Sequence, residues 1–192
     1  MEVDLIDHGA TVTRILTPDR QGLLADVLLG CPTPEDYLRP HPHFNCLVGR
    51  YANRITDARF QVDGILYELD ANLPPHHLHG GKHAFGLRRW SSEAIDQGVR
   101  FTLISPDGEG GYPGELDVVA EYTLHGMTLG LRYSATTTQP TPISLSSHHY
   151  YNLSGIQGSG IDDHQISINA AAFLPVSTQL TQLGRIESVT NT

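Results

Sequence analysis

The side chains best able to do chemistry in this sequence are its 11 histidines. They gather as His41 and His43, then His76, His77, His79 and His83, then His148 and His149. Neutral imidazole is the commonest metal ligand and also the side chain that titrates nearest neutral pH, so the clusters read either as a metal site or as proton donors and acceptors. A zinc or iron site wants a carboxylate or thiolate interleaved at definite spacing, and 76–83 contains none; no metal is expected. Most of these rings are expected to cap turns and bond backbone. His79 and His148 stand apart, because each sits in a distinctive frame, Leu78-His79-Gly80-Gly81 and His148-His149-Tyr150-Tyr151-Asn152-Leu153.

Arg54 offers a planar fork of donors and Asn53 a side-chain amide. A surface ion pair and a turn-stabilising side chain are the plainer readings of these two. Tyr112 is read as lining the cleft or packing beneath its turn, and Trp90 as core rather than a stacking platform. Glu109 and Glu115 are read as solvated loop acids in preference to a base.

The elements that must position these groups are strands. Apolar residues recur at every second position almost throughout, the mark of strands with one buried face. Residues 59–69 are expected to form a hairpin turning at Asp63-Gly64, a pair that tolerates the positive φ of a type I′ turn. Leu116 to Leu124 and Leu129 to Ala135 alternate on either side of His125-Gly126, which predicts a long hairpin over 116–137. Val99, Phe101 and Leu103 mark another strand, and Ile166 to Ala170 a further one. The irregular stretches 30–45, 70–88 and 105–114 are loops, where function usually sits. With no repeat or linker, the chain reads as a single all-β domain over 1–192.

Composition narrows the partners. A net charge of −9 without a basic stripe would repel nucleic acid. No stretch reaches the roughly 18 apolar residues of a membrane span, and the start lacks a signal-peptide pattern, so a cytoplasmic location is expected. Cys31 and Cys46 have no CxxC or zinc spacing and are expected to be free thiols.

Several frames, in order, resemble the aldose 1-epimerase (galactose mutarotase) family: Gly49-Arg50-Tyr51-Ala52-Asn53-Arg54-Ile55; Leu78-His79-Gly80-Gly81 with Gly86 and Trp90; Ser105 through Gly114; and Thr141-Pro142-Ile143 leading into His148 through Leu153. The flanks agree, from Gly9-Ala10-Thr11 to Phe173-Leu174-Pro175-Val176. Two departures are Ser147, where the family typically has Asn, and His149, in a place usually held by Ser. The resemblance implies a galactose-mutarotase-like β-sandwich (supersandwich) that interconverts the α and β anomers of free hexoses without a cofactor. It implies His148 as general acid to the ring oxygen, His79 bonding the sugar, and Arg54, Asn53 and Tyr112 contacting hydroxyls. It also implies that the family's catalytic carboxylate lies beyond residue 192, so that the fold is truncated here. Strands near the end of the chain would then show unpaired edges, in a monomer or a homodimer. The competing expectation is a non-catalytic sugar-binding β-sandwich, or an inactive truncated form lacking the base.

Overall fold

The computed structural model describes residues 1–156 and 158–190. Strands β1 (Glu2–Ile6), β2 (Thr11–Pro18) and β3 (Leu24–Asp26) form an antiparallel sheet in that order. Short strands follow: β4 (Leu47–Val48), β5 (Arg54–Ile55), β6 (Arg59–Val62), β7 (Ile65–Glu68) and β8 (His77–Leu78). Then β9 (Ser91–Ile95), β10 (Gly98–Ser105), β11 (Leu116–His125) and β12 (Thr128–Thr137) build a four-stranded sheet, ordered β12-β11-β10-β9. Strands β13 (Ser146–Ser147), β14 (Ala172–Phe173) and β15 (Glu187–Ser188) complete the set. Among the described residues helix is confined to short 3-10 turns, and none is long and apolar enough to cross a membrane.

Both expected hairpins form. Val62 pairs with Ile65 across Asp63 and Gly64, whose φ values of 51° and 81° are the two positive angles of a type I′ turn. The β11–β12 ladder runs from Leu116↔Thr137 to His125↔Thr128, closed by Gly126-Met127. Period-two patterning has its consequence here: Leu116, Val118, Ala120 and Tyr122 are buried while Asp117 is exposed. That face joins Phe101 and Leu103 of β10 with Val12 and Ile15 of β2, Leu28, Leu47, Phe85 and Trp90 in one core. Two sheets therefore share a core as in a sandwich, and the Tyr122 hydroxyl ties them by donating to the Ala10 carbonyl at 2.9 Å. Trp90 is core as expected, its indole N–H donating to Phe85 O at 3.0 Å.

One strand expectation fails. Residues 166–170 alternate correctly but form no ladder, and Ile166 and Ile168 are 86% and 71% exposed. Alternation signals a face to bury, and among the described residues nothing covers this one. The nearest pairing is the two-residue ladder Ala172↔Ser188, Phe173↔Glu187.

Phe101→Ala is expected to lower the unfolding free energy by about 3–5 kcal/mol in urea denaturation. Ile166→Ala should change it by less than about 0.5 kcal/mol. Comparable losses from both would mean that 166–170 is packed after all.

Candidate active site

Three segments converge. The first carries His148. Beyond β13, where Ser147 pairs with Leu47, the His148 N–H donates to Cys46 O at 2.9 Å and the Asn45 N–H to His148 O at 3.0 Å. Extended backbone sends neighbouring side chains to opposite faces. His148 accordingly stacks on Tyr150 at 5.0 Å between ring centroids, whereas His149 Nδ1 meets the Tyr151 hydroxyl at 2.9 Å.

The second segment carries His79, one residue past the β5–β8 pairing of Arg54 with Leu78. The His79 N–H donates to Asn53 O at 3.1 Å, and the Asn53 N–H donates to His79 Nδ1 at 3.0 Å. With Nδ1 acting as acceptor, the neutral ring must carry its proton on Nε2. Burial pushes the pKa of this ring down to about 4, helped by the nearby His43, His148, Arg54 and His77. His79 is thus held neutral with an Nε2–H to give. The glycines after it are required: a Cβ on Gly80, at φ 92°, would lie 1.7 Å from the Gly49 carbonyl oxygen.

The third segment carries His43, which the sequence placed among the turn-capping rings. Its centroid lies 5.0 Å from His79 and 5.9 Å from His148, and those two are 5.1 Å apart. No signal in the sequence shows which loops meet, so His43 was not separable from His41. The backbone-bonding expectation holds for His41 and His76, whose Nδ1 atoms accept from the Phe44 and Asp57 N–H groups. None of the three clustered rings is hydrogen-bonded to a carboxylate among the described residues. There too, no group of three His, Cys, Asp or Glu side chains is arranged to hold a metal ion.

Arg54 and Asn53 border this cluster. Asn53 Oδ1 accepts from the Arg54 N–H at 2.8 Å and from a guanidinium N–H at 3.4 Å, while Arg54 Nε is buried without a partner. Among the described residues Arg54 makes no ion pair, while the bond from the Arg54 N–H to Asn53 Oδ1, at an Asn53 φ of 71°, is the local contact of a turn-stabilising side chain.

Tyr112 is a correction. It is 1% exposed, its hydroxyl donating to His77 Nε2 at 2.8 Å, while His77 Nδ1–H donates to Asp70 O at 2.7 Å. Its ring packs at 5.7 Å from Phe60, so it supports the GYPG turn and does not face a ligand. Glu109 is held by Arg88 at 2.7 Å and by the Ser105 hydroxyl, and Glu115 is exposed at the start of β11. A cavity of about 530 Å³ is lined by Leu28, Leu29, His149, Tyr151, Ile156 and Ile161 and includes none of the three clustered rings. Size alone is a weaker guide than convergent polar chemistry, so the histidine triangle is the candidate.

The protein is thus an all-β sandwich that brings three imidazoles together on its loops. A family model described as aldose 1-epimerase matches residues 1–192. Galactose mutarotase of Sus scrofa is 44% identical over 192 residues, all of this chain and 56% of its own length. Aldose 1-epimerase of Escherichia coli K12 is 37% identical over 178 residues, 92% of this chain and 51% of its own. Among solved structures, an aldose epimerase homologue from C. elegans aligns with a TM-score of 0.89 at 30% identity, covering 99% of this chain and 58% of that one. Galactose 1-epimerase from Lactobacillus acidophilus aligns at 0.84 and 26%, covering 99% and 56%. The chain belongs to the aldose 1-epimerase family, and its fold is galactose-mutarotase-like. It spans little more than half the length of the curated relatives it matches.

A pH dependence of stability follows. The folded pKa of His79 lies below its unfolded value of 6.5, so the unfolded chain binds more protons in between; the stabilisation is complete above about 6.5 and is lost as pH falls through about 4. Burial lowers His41, His43 and His149 in the same direction. Melting temperature is expected to be flat from pH 8 to 7 and to fall steadily below 6.5, and His79→Asn should flatten part of that slope. An equally steep fall in the variant would exclude His79 as a contributor.

Proposed function

We propose that the protein interconverts the α and β anomers of free hexoses such as galactose and glucose, as one domain working in the cytoplasm on a neutral sugar and without a cofactor. The observation that carries this reading is the pairing of a neutral His79, its Nε2–H available, with the His148 ring 5.1 Å away, in a chain of the aldose 1-epimerase family. Its two cysteines are unpaired, which suits a reducing compartment.

Anomer exchange needs a proton delivered to the ring oxygen while one leaves the C1 hydroxyl. The ring then opens, the aldehyde turns about C1–C2, and the ring closes on the other face. His148 is the proton donor, since a histidine titrates near working pH where general acid catalysis is most efficient. His79 donates from Nε2 to a sugar oxygen and stabilises charge developing there. Arg54 brings the terminal donors of its guanidinium to the hydroxyls, and Asn53 adds its side-chain amide. The carboxylate that the family resemblance implies as base is not found beside these rings among the described residues. The 192-residue chain is therefore expected to bind sugar weakly and to accelerate mutarotation little.

Polarimetry on fresh α-D-glucose and α-D-galactose tests the reading, comparing this chain with one extended by the later part of a relative. The extended protein should turn over, and His148→Ala in it should lower kcat on the order of 10²–10⁴-fold with a smaller change in KM. His149→Ala, whose ring faces the other side, should be milder. Equal losses from the two changes, or an inert extended protein that is folded, would refute the assignment.

A further inference from the structure

We propose that His43 is a positioning residue of this site: set against both working imidazoles, it adds to burial in disfavouring a proton on His79, so that His79 stays a neutral Nε2–H donor beside His148. The proposal rests on reading His79 and His148 as the working pair.

Geometry comes first. The three centroids form a compact triangle with sides of 5.0, 5.1 and 5.9 Å, His43 meeting His79 edge-on at 67° and His148 at a 32° tilt. The placement is built into the fold. His43 holds a left-handed φ of 57°, a conformation uncommon for a residue with a side chain, and its N–H donates to His41 O at 2.8 Å. The loop carrying it is fastened to the segment carrying His148: the Tyr150 hydroxyl donates to Pro42 O at 2.8 Å, and the Asn45 N–H donates to His148 O.

The charges follow from that placement. The groups bearing on His79 are His43 from the 39–46 loop, His148 beyond β13, Arg54 from β5 and His77 from β8. Each of these lowers the proton affinity of His79, and among the described residues no carboxylate is bonded to His43, His79 or His148, the acid Asp70 lying 3.4 Å from His77 Nδ1. After burial itself, His43 is the largest of these influences on His79. Its own proton affinity is lowered, by burial first and then by His148 and His41. Like charges this close disfavour each other's charged forms, so a cluster of three rings behaves as a coupled unit with room for few protons.

The test is an NMR pH titration of the ring carbon-bound protons of the 192-residue protein, without sugar, in the natural sequence and in His43→Phe and His43→Asn. Phe keeps a flat ring and Asn keeps polarity; both remove the titrating charge. In both variants the His79 midpoint is expected to rise toward the ordinary histidine value by roughly half a unit or more. The Asn53 amide bonded to Nδ1 should report the same shift. An unchanged or lowered midpoint in the variants overturns the proposal, as does a rise with Phe alone, which would assign the effect to packing. Because no sugar is present, a failure of turnover with the shift intact counts against the epimerase reading alone. If Phe prevents folding, the Asn variant decides by the same criterion.

Discussion

The arrangement depends first on Asn45. This residue is fully buried at a φ of 55°, and all four of its hydrogen-bonding groups are used. Its N–H reaches His148 O, its carbonyl accepts from the Val12 N–H at 3.3 Å, its amide donates to Leu29 O at 2.9 Å, and its Oδ1 accepts from the Tyr150 N–H at 2.9 Å. One residue thereby ties β2, through its backbone carbonyl, and Leu29 and the 148–150 segment, chiefly through its side chain, to the loop bearing His43. A buried polar side chain is stabilising only when every partner is present. Removing the amide would strand the Leu29 carbonyl and the Tyr150 N–H at once and loosen the triangle of rings from its core side.

A second clamp supports the site from below. Arg50 is 2% exposed, and its guanidinium donates to Ser105 Oγ and O, Pro106 O and Pro113 O at 2.9–3.1 Å while lying 5.7 Å from the Tyr112 ring centroid. A buried cation is tolerable when its donors are consumed in this way. The result fixes the 105–114 loop beneath β8, where Tyr112 reaches His77 and His77 reaches Asp70. Asp70 Oδ2 in turn accepts from the Lys82 N–H at 2.6 Å, holding the turn just after His79 and its two glycines. The motifs spanning 49–55, 78–81 and 105–114 are thus one connected support.

Much of this was legible in the sequence. Hairpins at 59–69 and 116–137 follow from alternation plus Asp-Gly and His-Gly turns, because strand period and turn chemistry are local properties. Trp90 as core and the free thiols were equally local inferences; Cys46 is buried, its thiol pushed up to about 12. His79 and His148 were singled out by their frames and do meet. What failed depends on contacts between distant segments. Ile166 to Ala170 carries the right pattern without a partner strand. Tyr112 was open between lining the cleft and packing beneath its turn, and contacts with Arg50 and His77, distant in sequence, decide for packing. His43 looks like any loop histidine until Asn45 and Tyr150 carry its loop to the site.

The composition of the site also sets what it can do alone. His79 Nε2–H and the terminal N–H groups of Arg54 are donors, so the wall is rich in donors and poor in acceptors. Such a wall suits a ligand that presents oxygen lone pairs, as a sugar ring oxygen and its hydroxyls do. Protonating the ring oxygen is therefore the half of anomer exchange for which these residues are equipped. Taking the proton from the C1 hydroxyl needs an acceptor, and the neutral rings are ill placed to serve: His79 Nδ1 is occupied by Asn53, and His148 cannot give and receive in the same step. The burial that makes His79 a reliable donor works against it as a base, because a ring that resists protonation down to about pH 4 accepts a proton too weakly. Acid and base functions must consequently reside in different groups, and the base in one that the imidazole triangle does not contain.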